Sequence, residues 1–262
     1  MRRMYHIASN WTSEQAKILK QNNIQVEVNG QFTSIELEES TYFSLERYFT
    51  KWNISGIFFP EFSKTELNSA PLSALKSTHT HGYPMPDLDF GYRALTYDLS
   101  IYCNQCGIGL KQKEPFRIKS EPPTGKKRIF SLGWVYDELF VDRKLYEEVF
   151  MPLGTKYMEV LKYGKDIPFE NTVQLILPET EEPLNLEGWP TEVCDLCGRR
   201  KYQPMAQDFF PMYKNVIVPI FKSDDYFGSG ANAFKRIFMA KELREKLISM
   251  KIEKPIWFFP AK

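Results

Sequence analysis

The chain has 262 residues, 43% hydrophobic and 15% aromatic, and a formal net charge of +1 from 34 basic and 33 acidic side chains. That length supports one large core or two smaller ones, and the balanced charge gives no global field favouring nucleic acid or another charged partner. No stretch approaches the roughly 18 apolar residues of a membrane-crossing helix. The polar start, Met-Arg-Arg-Met-Tyr-His, carries no apolar signal segment. A cytoplasmic protein with no membrane partner is therefore expected, in a compartment that keeps thiols reduced.

In chain order, Thr12 to Gln21 is predicted as a short helix, with Thr12 or Ser13 as its cap and Glu14 in its first turn. Ile24 to Val28 alternates apolar and polar residues and predicts a half-buried strand. Asn29-Gly30 is a hairpin signal, and Phe32 to Leu37 is expected to pair back on that strand. Ser63 to Gly91, rich in Ser, Thr, Pro and His, predicts an extended loop. Tyr97 to Tyr102 and Val173 to Leu177 suit strands. Lys119 to Lys127 predicts a loop at a hairpin tip. Glu179 to Pro183 is an acidic solvated segment, and Gly228-Ser229-Gly230 a turn.

Three stretches resemble one another: Tyr42 to Pro60, Glu138 to Tyr146, and Arg236 to Pro260. Each opens on an aromatic-containing strand, then a cap or first turn at Ser44, Asp142 or Ala240, then an amphipathic helix. The first and third close on a short strand ending Phe-Phe-Pro. They predict a recurring strand–helix–strand unit of irregular period, unlike a solenoid.

All four cysteines fall in two Cys-x-x-Cys-Gly knuckles, Cys103–Gly107 and Cys194–Gly198. A pair of thiolates two residues apart grips one side of a tetrahedral ion, and two pairs complete the shell. Glycine after the second cysteine lets the chain turn sharply through positive φ. The knuckles lie 87 residues apart (107–193), far beyond an ordinary zinc finger. Cys103, Cys106, Cys194 and Cys197 are thus the expected ligands of one structural zinc. Iron suits the same donors, and two independent dithiols or surface disulfides are the alternatives. Redox chemistry fits less well, because Gly107-Ile108-Gly109 is a poor helix start.

Other residues offer less. His79 and His81 form an extended His-x-His pair without an obvious third ligand. Asp87/Asp89 and Asp224/Asp225 are carboxylate pairs in loops. No Gly-x-Ser-x-Gly elbow, Walker loop or His-Glu-x-x-His motif is present, so no enzyme is expected. The basic runs Lys126-Lys127-Arg128 and Arg199-Arg200-Lys201 read as solvated faces; with Tyr102 and Tyr202 the second would serve a nucleic-acid module.

From the first knuckle to the end, the chain resembles the double-CXXCG motif family of bacterial proteins, which includes immunity proteins against secreted antibacterial toxins. The matching features are the two widely spaced knuckles, Arg199 after the second, the segment Gly230-Ala231-Asn232-Ala233-Phe234-Lys235-Arg236, and the ending Trp257-Phe258-Phe259-Pro260. The resemblance implies zinc on the four cysteines and a cognate toxin as partner, a nuclease among the candidates; no toxin-contact residues carry over. Glu179, Glu181, Glu182, Asp224 and Asp225 are acidic candidates for an interface with a basic nuclease. The leading expectation is an immunity protein, and the alternative a zinc-ribbon nucleic-acid-binding protein. The fold expected is α+β: two related lobes of mixed or antiparallel sheet with helices on one face, joined by a four-cysteine zinc-ribbon-like site. The expected organisation is a lobe at 1–95 with the long Ser/Pro/His loop and a double-CXXCG region at 96–262, with a further boundary near 185.

Overall fold

A computed structural model describes residues 1–123, 125, 127–204, 208–215, 218–252, 254 and 258–262. The chain forms two units, Met1–Glu66 with Met205–Asp208, and Leu67–Pro204 with Phe209–Lys262. The fold is mixed α and β, and among the described residues no helix is long and apolar enough to cross a membrane.

The smaller unit runs β1 (Arg2–Ser9), α1 (Ser13–Gln21), β2 (Thr33–Glu38), α2 (Glu39–Lys51) and β3 (Ile57–Glu61). Thr12 caps α1 through a capping box with Gln15, satisfying two orphan backbone donors at once. The sheet order is β2-β1-β3, both ladders antiparallel. Its core gathers Ile7, Trp11, Leu19, Leu37, Leu45 and Phe49. Three expectations fail here. Ile24–Val28 is not a strand: Ile24 and Val26 do pack against the core, as their alternation implies, but the backbone joins no ladder. β2 pairs with β1 instead. Ser44 caps no helix, since α2 already starts at Glu39 and the Ser44 hydroxyl donates to Thr41 O inside it.

The chain continues through α3 (Lys64–Ser69), β4 (Leu72–Leu75), β5 (His79–Thr80), α4 (Tyr92–Thr96), β6 (Tyr97–Asp98), β7 (Lys111–Gln112), β8 (Arg117–Ile118), β9 (Ile129–Leu132), β10 (Val135–Asp142), α5 (Arg143–Leu145), β11 (Lys156–Lys162), β12 (Ile167–Ile176), β13 (Thr191–Val193), β14 (Arg200–Tyr202), β15 (Ile220–Phe227), β16 (Phe234–Ala240), α6 (Lys241–Ser249) and β17 (Phe258–Pro260). Two six-stranded sheets result, ordered β5-β9-β10-β12-β11-β8 and β13-β14-β15-β16-β4-β17; β6 and β7 form a separate hairpin. The expected loop at Ser63–Gly91 therefore hides an interior strand. β4, Leu-Ser-Ala-Leu, is buried along its whole length between β16 and β17. Tyr97–Tyr102 holds only the two strand residues of β6 before the chain turns. The described part of Lys119–Lys127 is irregular; Thr124 and Lys126 lie outside the described residues.

The two six-stranded sheets bury one shared core. Leu139 and Val141 of β10, Val173 and Leu175 of β12, and Ile237 and Met239 of β16 all enter it, with Leu243 and Leu247 of α6. The alternate residue Phe140 points into a second core with Phe116, Phe130 and Val160, so β10 is apolar on both faces, the signature of an interior strand. Phe238 likewise leaves the shared core for a cluster with Phe210, Tyr213 and Phe221, ring centroids 5.1–5.6 Å away.

The recurring unit is present three times with one topology, but the first copy opens earlier than predicted: Tyr42 and Phe43, expected as its strand, lie inside α2, and its strand is β2. In each, a strand leads through a helix to a second strand, and both flank a third strand antiparallel to them. β2–α2–β3 flanks β1. β16–α6–β17 flanks β4. β10 and β11 flank β12, linked by α5 and the helical turns that run on to Leu153. The middle copy thus has a closing strand that its sequence did not advertise. Asp142 caps its helix, accepting from Leu145 N at 2.8 Å. Ile256 and Trp257, expected in the last copy, lie outside the described residues.

A buried polar chain links the two large sheets. Lys222 Nζ on β15 donates to Glu138 Oε1 on β10 at 2.5 Å, and Gln174 Nε2 on β12 donates to Glu138 Oε2 at 3.0 Å. Gln174 and Gln112 exchange amide hydrogen bonds at 2.6 and 2.8 Å. Burial penalises the Lys222 charge, yet the carboxylates of Glu138 and Asp137 outweigh it and hold the ammonium above its ordinary range. Removing one partner strands a buried charge, at a cost of about 3–5 kcal/mol, whereas an apolar pair of similar volume is far better tolerated. Denaturant titration is expected to show a large loss for Lys222→Met or Glu138→Leu alone and a much smaller one for the double variant. Additive losses would show that the two charges are not coupled.

Candidate metal centre

Each knuckle is the tip of a β-hairpin. β6 leads to Cys103 and Cys106 and returns as β7; β13 leads to Cys194 and Cys197 and returns as β14. The two tips have the same backbone wiring. Cys103 N donates to Ile108 O at 2.9 Å and Gly107 N to Cys103 O at 2.8 Å. Cys194 N donates to Arg199 O at 2.9 Å and Gly198 N to Cys194 O at 2.8 Å. Gly107 and Gly198 take φ of 83° and 71°, the left-handed turn that closes each loop. The two glycines differ in surroundings. A Cβ on Gly107 would meet Ala231 O at 2.6 Å and Ala233 N at 2.8 Å, while one on Gly198 meets nothing within 4 Å.

The hairpins bring all four sulfurs together. Cys103 Sγ lies 3.8 Å from Cys194 Sγ, and Cys106 Sγ 3.7 Å from Cys197 Sγ. All four sulfurs lie within 4.8 Å of one another. A Zn–S bond of about 2.3 Å in a tetrahedron sets sulfurs about 3.8 Å apart, whereas a disulfide needs about 2.05 Å. No disulfide links them. Among the described residues this is the only group of three or more His, Cys, Asp or Glu placed to share an ion. Three of the cysteines are buried and Cys197 is half-buried, in a small apolar setting with Ile108, Tyr226 and Ala233. The donor set and spacing fit a closed four-thiolate ion site.

The surrounding groups favour the thiolate at two of the cysteines and oppose it at a third. Arg199 Nε donates to Cys197 Sγ at 3.3 Å, and with the Arg199 backbone N–H pulls that thiol down to about 6. The backbone N–H groups of Cys106 and Gln105 lower Cys103. Burial raises Cys106 to about 12, against the backbone N–H of Ile108. A bound cation reverses that last penalty by supplying the missing opposite charge.

The run Arg199-Arg200-Lys201, expected on a solvated face, divides. Arg199 serves a sulfur, Arg200 is exposed, and Lys201 is almost fully buried. Lys201 Nζ donates to Cys106 O at 3.0 Å, to Gly230 O, and to Asn232 O at 3.4 Å, with Glu192 at 3.5 Å. One ammonium thus fastens the strand after the second knuckle to the backbone of the first and to the turn before β16. Nothing in a basic tripeptide signals this; the signal is its place directly after a knuckle. Lys126 of the other basic run lies outside the described residues.

Most of the remaining candidates have local partners. His81 Nε2 is 3.0 Å from Ser120 O, and His79 belongs to β5; neither joins the sulfur cluster. Asp87 pairs with Lys119 at 3.2 Å, and Asp89 sits at φ 49°. Glu179 pairs with Lys235 at 2.7 Å. Glu182 accepts from the backbone N–H of Lys214 and Asn215, and Asp225 from Leu184 N. Asp224 and Glu181 are exposed. Tyr102 accepts from Arg93 Nη1 at 2.7 Å, and Tyr202 packs on Phe227.

Two substitutions separate space from turn. Gly107→Ala is expected to lower both stability and metal retention more than Gly198→Ala, because only the first adds a collision with fixed backbone to the positive-φ strain. Melting temperature and metal content by mass spectrometry read both effects; equal losses would contradict the packing described. Lys201→Met, which leaves three carbonyls to find new donors, is expected to cost about 1–3 kcal/mol in a denaturant titration. Comparisons of the chain with protein-family models, with curated proteins and with solved structures give no match.

Proposed function

We propose that the four cysteines hold one structural zinc ion, and that the protein is an immunity protein of the double-CXXCG kind, which binds and neutralises a cognate secreted antibacterial toxin in the cytoplasm. The observation that carries this reading is the convergence of two knuckles from remote parts of the chain into one closed four-sulfur cluster. Four protein ligands leave a zinc ion no open position for water or substrate, so its task is to hold structure. The resemblance at Arg199 and at Gly230–Arg236 supports the same reading: Arg199 serves a sulfur of the cluster, and Gly230 and Asn232 receive Lys201. An immunity protein needs a preorganised surface, and a metal-clamped pair of hairpins supplies rigidity that side-chain packing alone does not.

The test is protection. The purified protein is expected to contain one zinc per chain, and Cys103→Ser or Cys194→Ser to lose it. Co-expression with the toxin encoded beside its gene is expected to restore growth, and the two proteins to co-purify. A zinc-loaded protein that neither binds that toxin nor relieves its toxicity would overturn the immunity assignment while leaving the metal site standing.

A further inference from the structure

A cavity of about 240 Å³ opens beside β16, away from the sulfur cluster, with Lys76, Ser77, Thr80, Lys235 and Arg236 in its lining and no carboxylate among its described lining residues. Arg236 is 7% exposed, yet among the described residues it has no ion-pair partner. Its Nη1 reaches Leu75 O at 3.5 Å, its Nη2 donates to Pro204 O, and its Nε has no hydrogen-bond partner among the described residues. The rings of Phe234 and Phe227 flank the guanidinium at 5.0 and 5.5 Å. Neighbouring cations are treated differently by the fold: Lys222 meets Glu138, and Lys235 meets Glu179. Lys76, at the cavity rim, adds a second positive charge and also has no carboxylate beside it among the described residues; its nearest aromatic neighbour is Phe259 at 5.3 Å.

A buried charge without an opposite partner is costly, and the protein keeps Arg236 buried in the lining of a cavity whose exposed rim carries a second cation, Lys76. Burial alone pushes Arg236 down to about 10, so it stays charged at neutral pH. Burial and then the Arg236 charge lower Lys76, the mark of two like charges close together. Both would be relieved by an anion between them.

We propose that this cavity binds the phosphoryl group of a small phosphorylated molecule. Two cations match the charge of a phosphate monoester, close to −2 at neutral pH, better than the single charge of a carboxylate. The guanidinium keeps three of its five N–H groups beyond those given to Leu75 O and Pro204 O, and the rim hydroxyls of Ser77 and Thr80 are further donors. The volume lies below the roughly 300–1,000 Å³ of sites for drug-sized ligands, which keeps the ligand small. The rings of Tyr136 and Phe234, 5.4 Å apart, wall the remaining space.

Thermal melting and calorimetric titration of the zinc-loaded chain test this with inorganic phosphate, glycerol phosphate, acetate and chloride at matched ionic strength. Saturable stabilisation by phosphate and glycerol phosphate, without effect from acetate or chloride, is expected. Lys76→Ala and Arg236→Lys are expected to weaken phosphate binding by roughly tenfold or more, and Lys119→Ala to leave it unchanged. Should Arg236→Lys fail to fold, Lys76→Ala, at an exposed rim position, carries the test alone. Stabilisation no greater than with chloride, or binding indifferent to Lys76→Ala, would overturn the site. Equal stabilisation by acetate would overturn the phosphoryl assignment, and binding of inorganic phosphate without glycerol phosphate would overturn the esterified ligand.

Discussion

The geometry of the larger unit depends on four sulfurs drawn from two hairpin tips 91 residues apart. Thiols brought this close without a bond or a cation gain little, because sulfur is a weak donor and a weak acceptor. The four sulfurs lie at the mutual distances of a four-thiolate ion site. Around it the chain spends polar groups freely: backbone N–H groups aim at sulfur, Arg199 lies against Cys197, and Lys201 is buried where three carbonyls converge. The Lys201 ammonium and the sulfur cluster meet at the same joint, the first tying both hairpins through backbone carbonyls and the second bringing their tips together.

That joint connects parts of different sheets. The β6–β7 hairpin carries Gln112, which reaches through Gln174 to Glu138 and so to Lys222 on the second sheet. The β13–β14 hairpin belongs to the second sheet directly. The cysteine cluster thus ties the separate β6–β7 hairpin to the second sheet, the polar chain runs from that hairpin through the first sheet to the second, and the apolar core of Leu139, Val173 and Ile237 fills the space between the two large sheets. Apolar contact supplies most of the burial, while the directional groups fix which residues face each other.

How much of this was legible depended on whether a residue's neighbours in sequence are also its neighbours in space. The knuckles were legible because each is local: spacing and glycine are written within five residues. The strand and helix at the start of the last unit were legible for the same reason, and Asp142 as a cap needed only three residues of context; in the first unit the aromatic Tyr42-Phe43 was read as strand although it lies in α2. β4 was illegible, since Leu-Ser-Ala-Leu lies between loops and gains its identity from strands more than 150 positions later. β1 was hidden because its buried residues, Met4 and Ile7, are three apart and break the alternation. Ile24–Val28 erred in the opposite sense: side-chain burial alternates, but no strand offers it a ladder. Lys201 and Arg236 were misread or unread because composition assigns long cations to water, and only the fold supplies carbonyls and rings to receive them.

The strand threaded between β16 and β17 has a consequence for how the chain comes together. Leu72–Leu75 leaves the ribosome long before either of its ladder partners, so its backbone groups wait through much of translation without a mate. Pairing across such a sequence distance is slow, and an open strand edge is a template for the wrong neighbour in the meantime. Ser73 and Ala74 at its centre make that wait safer, being among the least adhesive residues a fully enclosed strand can carry, and Arg244 later arrives from α6 to claim the Ser73 hydroxyl. α6 and β17 thus act as a latch, and the second sheet becomes whole only when they have emerged.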